Sequence, residues 1–156
     1  MSYVERNLLN EEKIEHLSHL HWKVYIFPAL ILILDLLVML ILLVDKNFLA
    51  VGVCALIAIA LIAIPKLVIY SSEFVVTNKR VVIKVGIIRT RSLELFLNKI
   101  EGIAVNQGVF GKMLGYGEIV ITGSGGTKEP FSGIEDPLGF RKAVQQATDQ
   151  LAQPRS

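Results

Sequence analysis

The side chains able to do chemistry are few and poorly assembled. All three histidines, His16, His19 and His21, fall close together near the start of the chain. Their spacing lacks the i, i+4 pair of a helical zinc site, and no Cys or Asp ligand stands nearby, so they read as interfacial polar residues. Cys54 is the only cysteine and is embedded in an apolar run, which excludes an intrachain disulfide and disfavours thiolate chemistry. A nucleophilic site needs Ser or Cys within hydrogen-bond reach of an oriented base. Every histidine precedes the apolar block and the cysteine lies inside it, so the polar part that follows has neither. Glu94, Glu101, Glu118 and Glu129 are scattered and read as solvated strand residues rather than an acid/base pair. The glycines at 108, 111, 115 and 117 have no GK[ST] ending and no strand–loop–helix setting. The expectation is a non-enzyme with no catalytic residue, no metal and no cofactor.

Charge is more informative by its distribution than by its sum. A net charge of +2 is too small to suggest a nucleic-acid partner. Between positions 66 and 92, however, Lys66, Lys79, Arg80, Lys84, Arg89 and Arg91 face Glu73 alone. Lys79, Arg80, Arg89 and Arg91 are the candidate lipid- or partner-binding residues. Bases beside a bilayer attract anionic lipid at roughly 1 kcal/mol each, within a Debye length. The plainer reading is a solvated edge, and no K-x-R phosphoinositide pattern is evident.

These residues are positioned by an apolar block. Residues 24–44 read VYIFPALILILDLLVMLILLV, with Asp35 the one charge, and Phe48–Tyr70 repeats the pattern after Asp45-Lys46-Asn47. At 1.5 Å per residue, a helix of about 21 residues covers about 30 Å, the hydrocarbon thickness of a bilayer. A chain of 156 residues could not wrap two all-round apolar helices in protein. The expected element is a transmembrane helical hairpin over 24–70, read as an uncleaved anchor. Trp22, Tyr25, Phe27 and Tyr70 form an aromatic belt, Pro28 falls in a first turn, and Lys66 can snorkel beside Pro65. The basic excess after the second span places both termini in the cytoplasm and the turn outside. Ala50, Cys54 and Ala58 give the second span a small-residue stripe suited to packing within the hairpin or between copies, though ordinary membrane-helix composition explains it equally. Asp35, near mid-depth, is the candidate intramembrane contact: it meets either another chain or the second helix.

Before the hairpin, residues 1–23 are of mixed charge. They form either a short surface helix with Ile14, Leu17, Leu20 and Trp22 on one side or an extended lead-in. After it, β-branched runs at Glu73–Thr77 and Arg80–Val85 flank a tight Asn78-Lys79 turn. Further strand signals lie at 87–97, Ile100–Asn106, 118–122 and 127–134, with a helical turn at 110–114 and a glycine turn at 123–126. Asp136 then caps an amphipathic helix opened by Pro137, with Phe140, Val144, Ala147 and Leu151 on one face, opposite Arg141, Gln145 and Asp149.

TNKR at 77–80 leading into Val85-Gly86, LNKIEGIAV at 97–105, GKMLGYG at 111–117 before EIVIT, and IEDP at 134–137 occur in an order that resembles the bacterial pleckstrin-homology (PH) membrane proteins, the YdbS-like group. His21-Trp22 ahead of the first span is similar to that family's entry to its hairpin. The resemblance implies a PH-like fold of two bent sheets capped by a C-terminal helix, and no single activity. The expected class is therefore α+β: a transmembrane hairpin (24–44 and 48–70), then a PH-like β-sandwich or barrel of about six or seven antiparallel strands with a C-terminal helix. The expected boundaries are a cytoplasmic segment 1–23, the hairpin 24–70 and a cytoplasmic PH-like domain 71–156, in a bacterial inner membrane. The expected role is a membrane-anchored interaction or scaffold module that binds protein partners or itself. The alternatives are an anionic-lipid sensor or a small subunit of a transporter or channel.

Overall fold

The computed structural model describes residues 3–87 and 89–152. The chain divides into two compact units, one made of residues 22–70 and the other of the residues up to His21 together with those from Ser71 onward.

In the first unit a turn of 3-10 helix at Trp22–Tyr25 leads into α2 (Ile26–Val44), and α3 (Phe48–Tyr70) returns alongside it. Lys46 takes a left-handed φ of 56° in the connecting turn, and Asn47 Oδ1 accepts the Ala50 N–H at 3.3 Å to cap α3. Both helices are long and apolar enough to cross a membrane. Their less exposed positions define the seam. On α2 these are Pro28, Leu32, Asp35, Met39 and Leu42, a repeat near 3.5 residues, and on α3 they include Ala50, Cys54 and Ala58. The small side chains thus lie where the two backbones approach.

The second unit carries seven antiparallel strands in two sheets. One sheet has the order β1 (Ile14–His19), β2 (Glu73–Thr77), β3 (Arg80–Val85), β4 (Arg91–Phe96); the other has the order β5 (Ile100–Asn106), β6 (Tyr116–Gly123), β7 (Lys128–Glu135). A short helix, α4 (Val109–Leu114), joins β5 to β6, and α5 (Pro137–Ala152) closes the chain. Among the described residues, the two long helices, the seven antiparallel strands in two sheets and the C-terminal helix make the expected α+β fold.

The core lies between the sheets under α5. Phe74, Ile83, Leu97, Ile119, Ile121, Ile134 and Phe140 are fully buried, and Phe74 meets both Phe131 and Phe140 edge to face at 6.4 Å. β2 buries four consecutive residues because its other face is covered as well. There Val4 of α1 (Tyr3–Arg6) packs on Val75 and Val82, with Ile14 alongside. Asp136 Oδ1 accepts the Gly139 N–H at 3.0 Å, and Phe140, Val144 and Ala147 pack inward. Leu151, expected on that face, lies past the end of the core and is exposed.

The main departure from the sequence reading lies before the hairpin. Residues 14–19 do not form the surface helix; they are extended, as the other expectation had it, but as a strand paired with β2, His19 opposite Glu73 and Leu17 opposite Val75. His16, Ser18 and Leu20 face the core with period two, whereas the register shift between Ile14 and His16 turns Ile14 to the Val4 side of β2; Leu17, assigned to the helical stripe, is exposed. One strand of the sandwich therefore precedes the hairpin and six follow it. Phe140→Ala should destabilise this unit by about 3–5 kcal/mol, the usual cost of emptying a buried aromatic site. Equilibrium unfolding of the full chain in mild detergent checks this.

Candidate functional site

The four candidate bases do not form one patch. Lys79 and Arg80 sit at the β2–β3 turn, and Arg91 opens β4 opposite Val85, at the far end of β3. Six residues of strand, at about 3.3 Å each, separate the two ends. Arg89 lies with Arg91 at the second end, in the loop that follows Gly86.

Arg80 is consumed by the fold. Its Nε donates to Glu12 Oε1 at 2.9 Å, and Nη2 donates to Glu12 Oε2 at 3.1 Å. The same Nη2 donates to the Asn7 carbonyl at 2.7 Å, and Nη1 to Glu94 Oε2 at 2.8 Å. Glu12 is held from two further directions: the Leu9 N–H donates to Oε2 at 2.7 Å and the Thr77 hydroxyl donates to Oε1 at 2.8 Å. The Glu12 side chain is 0% exposed. Burial pushes its carboxyl up, but the Leu9 N–H, Arg80 and Thr77 together outweigh burial and hold it below its ordinary value. Lys79 is tied to the same segment, with Nζ donating to the Asn10 carbonyl at 2.6 Å. Asn78 closes this end, its Oδ1 accepting the Lys13 N–H at 2.9 Å and its Nδ2 donating to the Glu11 carbonyl at 3.1 Å.

At the other end Arg91 Nη2 donates to Glu129 Oε2 at 3.0 Å, and its guanidinium lies 5.4 Å from the Phe131 ring centroid. Arg89 is exposed and has no hydrogen bond or ion pair among the described residues. The histidines diverge. His16 shares a 2.9 Å hydrogen bond with Ser18 and packs edge-on against Phe140, His19 is exposed, and His21 is buried. Asp35 lies in the α2 seam and faces the Cys54 thiol of α3; its Oδ2 is buried without a hydrogen-bond partner among the described residues.

A groove that residue types alone do not announce runs between β5 and α5. Its volume is 330 Å³, and it is lined by Ile100 to Ile103 on the strand and by Val144, Gln145, Thr148 and Asp149 on the helix. β5 is the edge of its sheet, paired with β6 on one side only. The register shifts between Ile100 and Gly102, and a Cβ placed on Gly102 would meet nothing within 4 Å. Of the other edge strands, β1 and β7 approach each other at the Leu20–Ile134 bridge, and β4 carries Arg91 and Glu94, which blunt it against pairing; β5 carries only Glu101. A glycine inside a strand run was the available signal, because it marks a bulge or a close backbone approach.

Residues 27–148, most of the chain, match the family described as bacterial PH domain. No curated protein and no solved structure matches.

Arg80→Ala should cost about 3–5 kcal/mol, because it leaves the Glu12 carboxylate buried without its partner. Arg89→Gln should change stability by less than about 0.5 kcal/mol. Paired unfolding curves in mild detergent test the contrast. A carboxyl held below its unfolded value adds stability above that value and loses it as pH falls through the folded one. Unfolding free energy should therefore decline as pH drops below about 4.3, the ordinary Glu value, and Glu12→Gln should flatten that acid limb.

Proposed function

The chain belongs to the bacterial PH domain family, and from that premise we propose that it is a non-enzymatic, membrane-anchored interaction module. The hairpin tethers the domain at the cytoplasmic face of a bacterial inner membrane, and the β5–α5 groove receives an extended segment of a protein partner. The observation that carries this reading is the unblunted β5 edge beside an open, mixed apolar and polar groove. An added strand there gains main-chain hydrogen bonds, while the wall of α5 selects side chains.

Strand pairing supports the topology. β1 ends before the hairpin and β2 begins after it, yet His19 and Glu73 are cross-strand partners. Antiparallel partners have Cα atoms about 4.5–5.5 Å apart, which supports a chain that leaves and returns on the same side, as two spans do and one does not. The basic excess around 66–92 favours the cytoplasm as that side.

A headgroup pocket built from Lys79, Arg80, Arg89 and Arg91 has less support, because Arg80 is spent on Glu12 and Glu94 and the remainder are split between two ends of the sheet. Asp35 serves the tether by meeting α3 inside the hairpin.

Gly102→Trp fills the groove at a position where the fold has room. In mild detergent, the wild-type chain isolated from its native membrane should have a native mass above that of one chain, and Gly102→Trp should return it to a single chain with unchanged unfolding. A wild-type chain that runs alone counts against the module. An assembly that survives Gly102→Trp but is lost when Arg89 and Arg91 become Gln would favour the basic residues instead.

A further inference from the structure

The α4 segment is an exposed apolar surface that the interaction groove does not use. Val109 is 75% exposed, Phe110 73% and Met113 77%, with Leu114 and Leu138 also exposed. This is not a loosely packed excursion. Gly111 is the buried residue of the helix, and a Cβ there would sit 2.6 Å from the Tyr116 carbonyl oxygen, so only glycine lets α4 lie this close. Gly115 ends the helix in the left-handed region, and its carbonyl accepts the Asp136 N–H at 2.9 Å. Gln107 Nε2 donates to the Tyr116 carbonyl at 3.0 Å. The close packing of the inner side turns Val109, Phe110 and Met113 outward on a fixed base.

Position and charge identify what covers this surface. Tyr116, which follows the α4 cap, stacks at 5.0 Å on His21, and the His21 N–H donates to the Gly133 carbonyl at 2.8 Å. His21 is the last residue of the domain before the chain enters the first span. Lys112 of α4 and Arg141 of α5 line one depression with Leu138. Of the nearby acids, Asp136 caps α5, Glu118 accepts from Asn106 and Ser132, and Glu135 stands opposite Tyr116 on β7. Aromatic and long apolar side chains on a short helix rimmed by bases match the interface of an anionic bilayer.

We propose that α4 inserts Val109, Phe110 and Met113 into the headgroup–acyl boundary of the membrane that holds the hairpin, with Lys112 and Arg141 on anionic headgroups. The domain would then dock on the bilayer at one end, leaving the β5–α5 groove open to a partner. This rests on the membrane-anchored reading above.

The test uses the full chain with Cys54→Ala and Met113→Cys, labelled with a polarity-sensitive fluorophore, and Ser124→Cys at the β6–β7 turn as the reference site. Both are reconstituted in vesicles of phosphatidylcholine and phosphatidylglycerol, with and without shallow-brominated acyl chains. The Met113 label should shift to the blue and be quenched at least twofold by bromolipid, whereas the Ser124 label should show neither effect. Replacing the phosphatidylglycerol, or making Lys112→Gln with Arg141→Gln, should weaken the quenching. A Met113 label as wet and unquenched as the Ser124 label overturns the insertion. So does a blue shift that grows with protein density and ignores bromolipid, which would mean a second copy covers the face. Retention after alkaline carbonate extraction separates the two readings. A chain that stays in the vesicle with a wet label loses only the insertion, whereas a chain that is stripped off loses the anchor and the insertion together.

Discussion

The pairing of β1 with β2 across the hairpin is the constraint from which the remaining architecture follows. The segment before the spans could have been an independent lead; instead Glu12 is buried against Arg80 and Thr77, and the next residues extend the sheet. A buried carboxylate without its guanidinium would be costly, so the pair holds only while residues 7–12 lie over the β2–β3 turn. In turn, β2 and β3 can be buried on both faces because Val4 and Ile14 arrive with that segment. The hairpin is thus an insertion between two neighbouring strands of one sheet, and its two ends are set side by side by main-chain register.

Charge in this chain divides between structure and surface in a way that sign alone does not reveal. Arg80 and Arg91 look equivalent as cations, yet the first is an internal strut with four donor contacts and the second a partly solvated pair with Glu129. Exposed ion pairs of the second kind contribute little, while the first is tied to the fold's connectivity. Of the four, Lys79 and Arg89 have no ion pair among the described residues, and Lys79 donates to the Asn10 carbonyl. The two proposed interaction surfaces rest instead on backbone and apolar features: a sheet edge left open at β5, and an apolar helix held outward by Gly111.

Both surfaces carried a faint trace in the sequence. Gly102 interrupts a strand run, and the glycines at 108, 111, 115 and 117 punctuate a segment with Phe110 and Met113 between them. Neither trace says which way a side chain points. A glycine in a strand can mark a bulge, a bend or a ligand approach, and only the edge position of β5 and the line of α5 make it one wall of a groove.

Local periodicity was enough for most elements. The two spans, the β2–β3 hairpin with its Asn78-Lys79 turn, β5, and α5 with its Asp136 cap all appear where apolar period and turn chemistry place them, because each buries a face that its own residues define. Leu151 escaped that logic because a helix can outrun the core that its face was meant to cover. The strand at 14–19 was not legible for a different reason. Ile14, Leu17 and Leu20 satisfy a helical spacing, while the core-facing members of the strand, His16, Ser18 and Leu20, are mostly polar and Ile14 is set apart from them by a register shift. What decides between them is an empty place beside β2, supplied by residues more than fifty positions later. The sequence by itself determined the two long apolar helices, the fold family and most local elements, since those depend on near neighbours in the chain. The tertiary structure alone decided the partner of each charge, the strand contributed from before the hairpin and the surfaces left uncovered, since those depend on which distant segments meet.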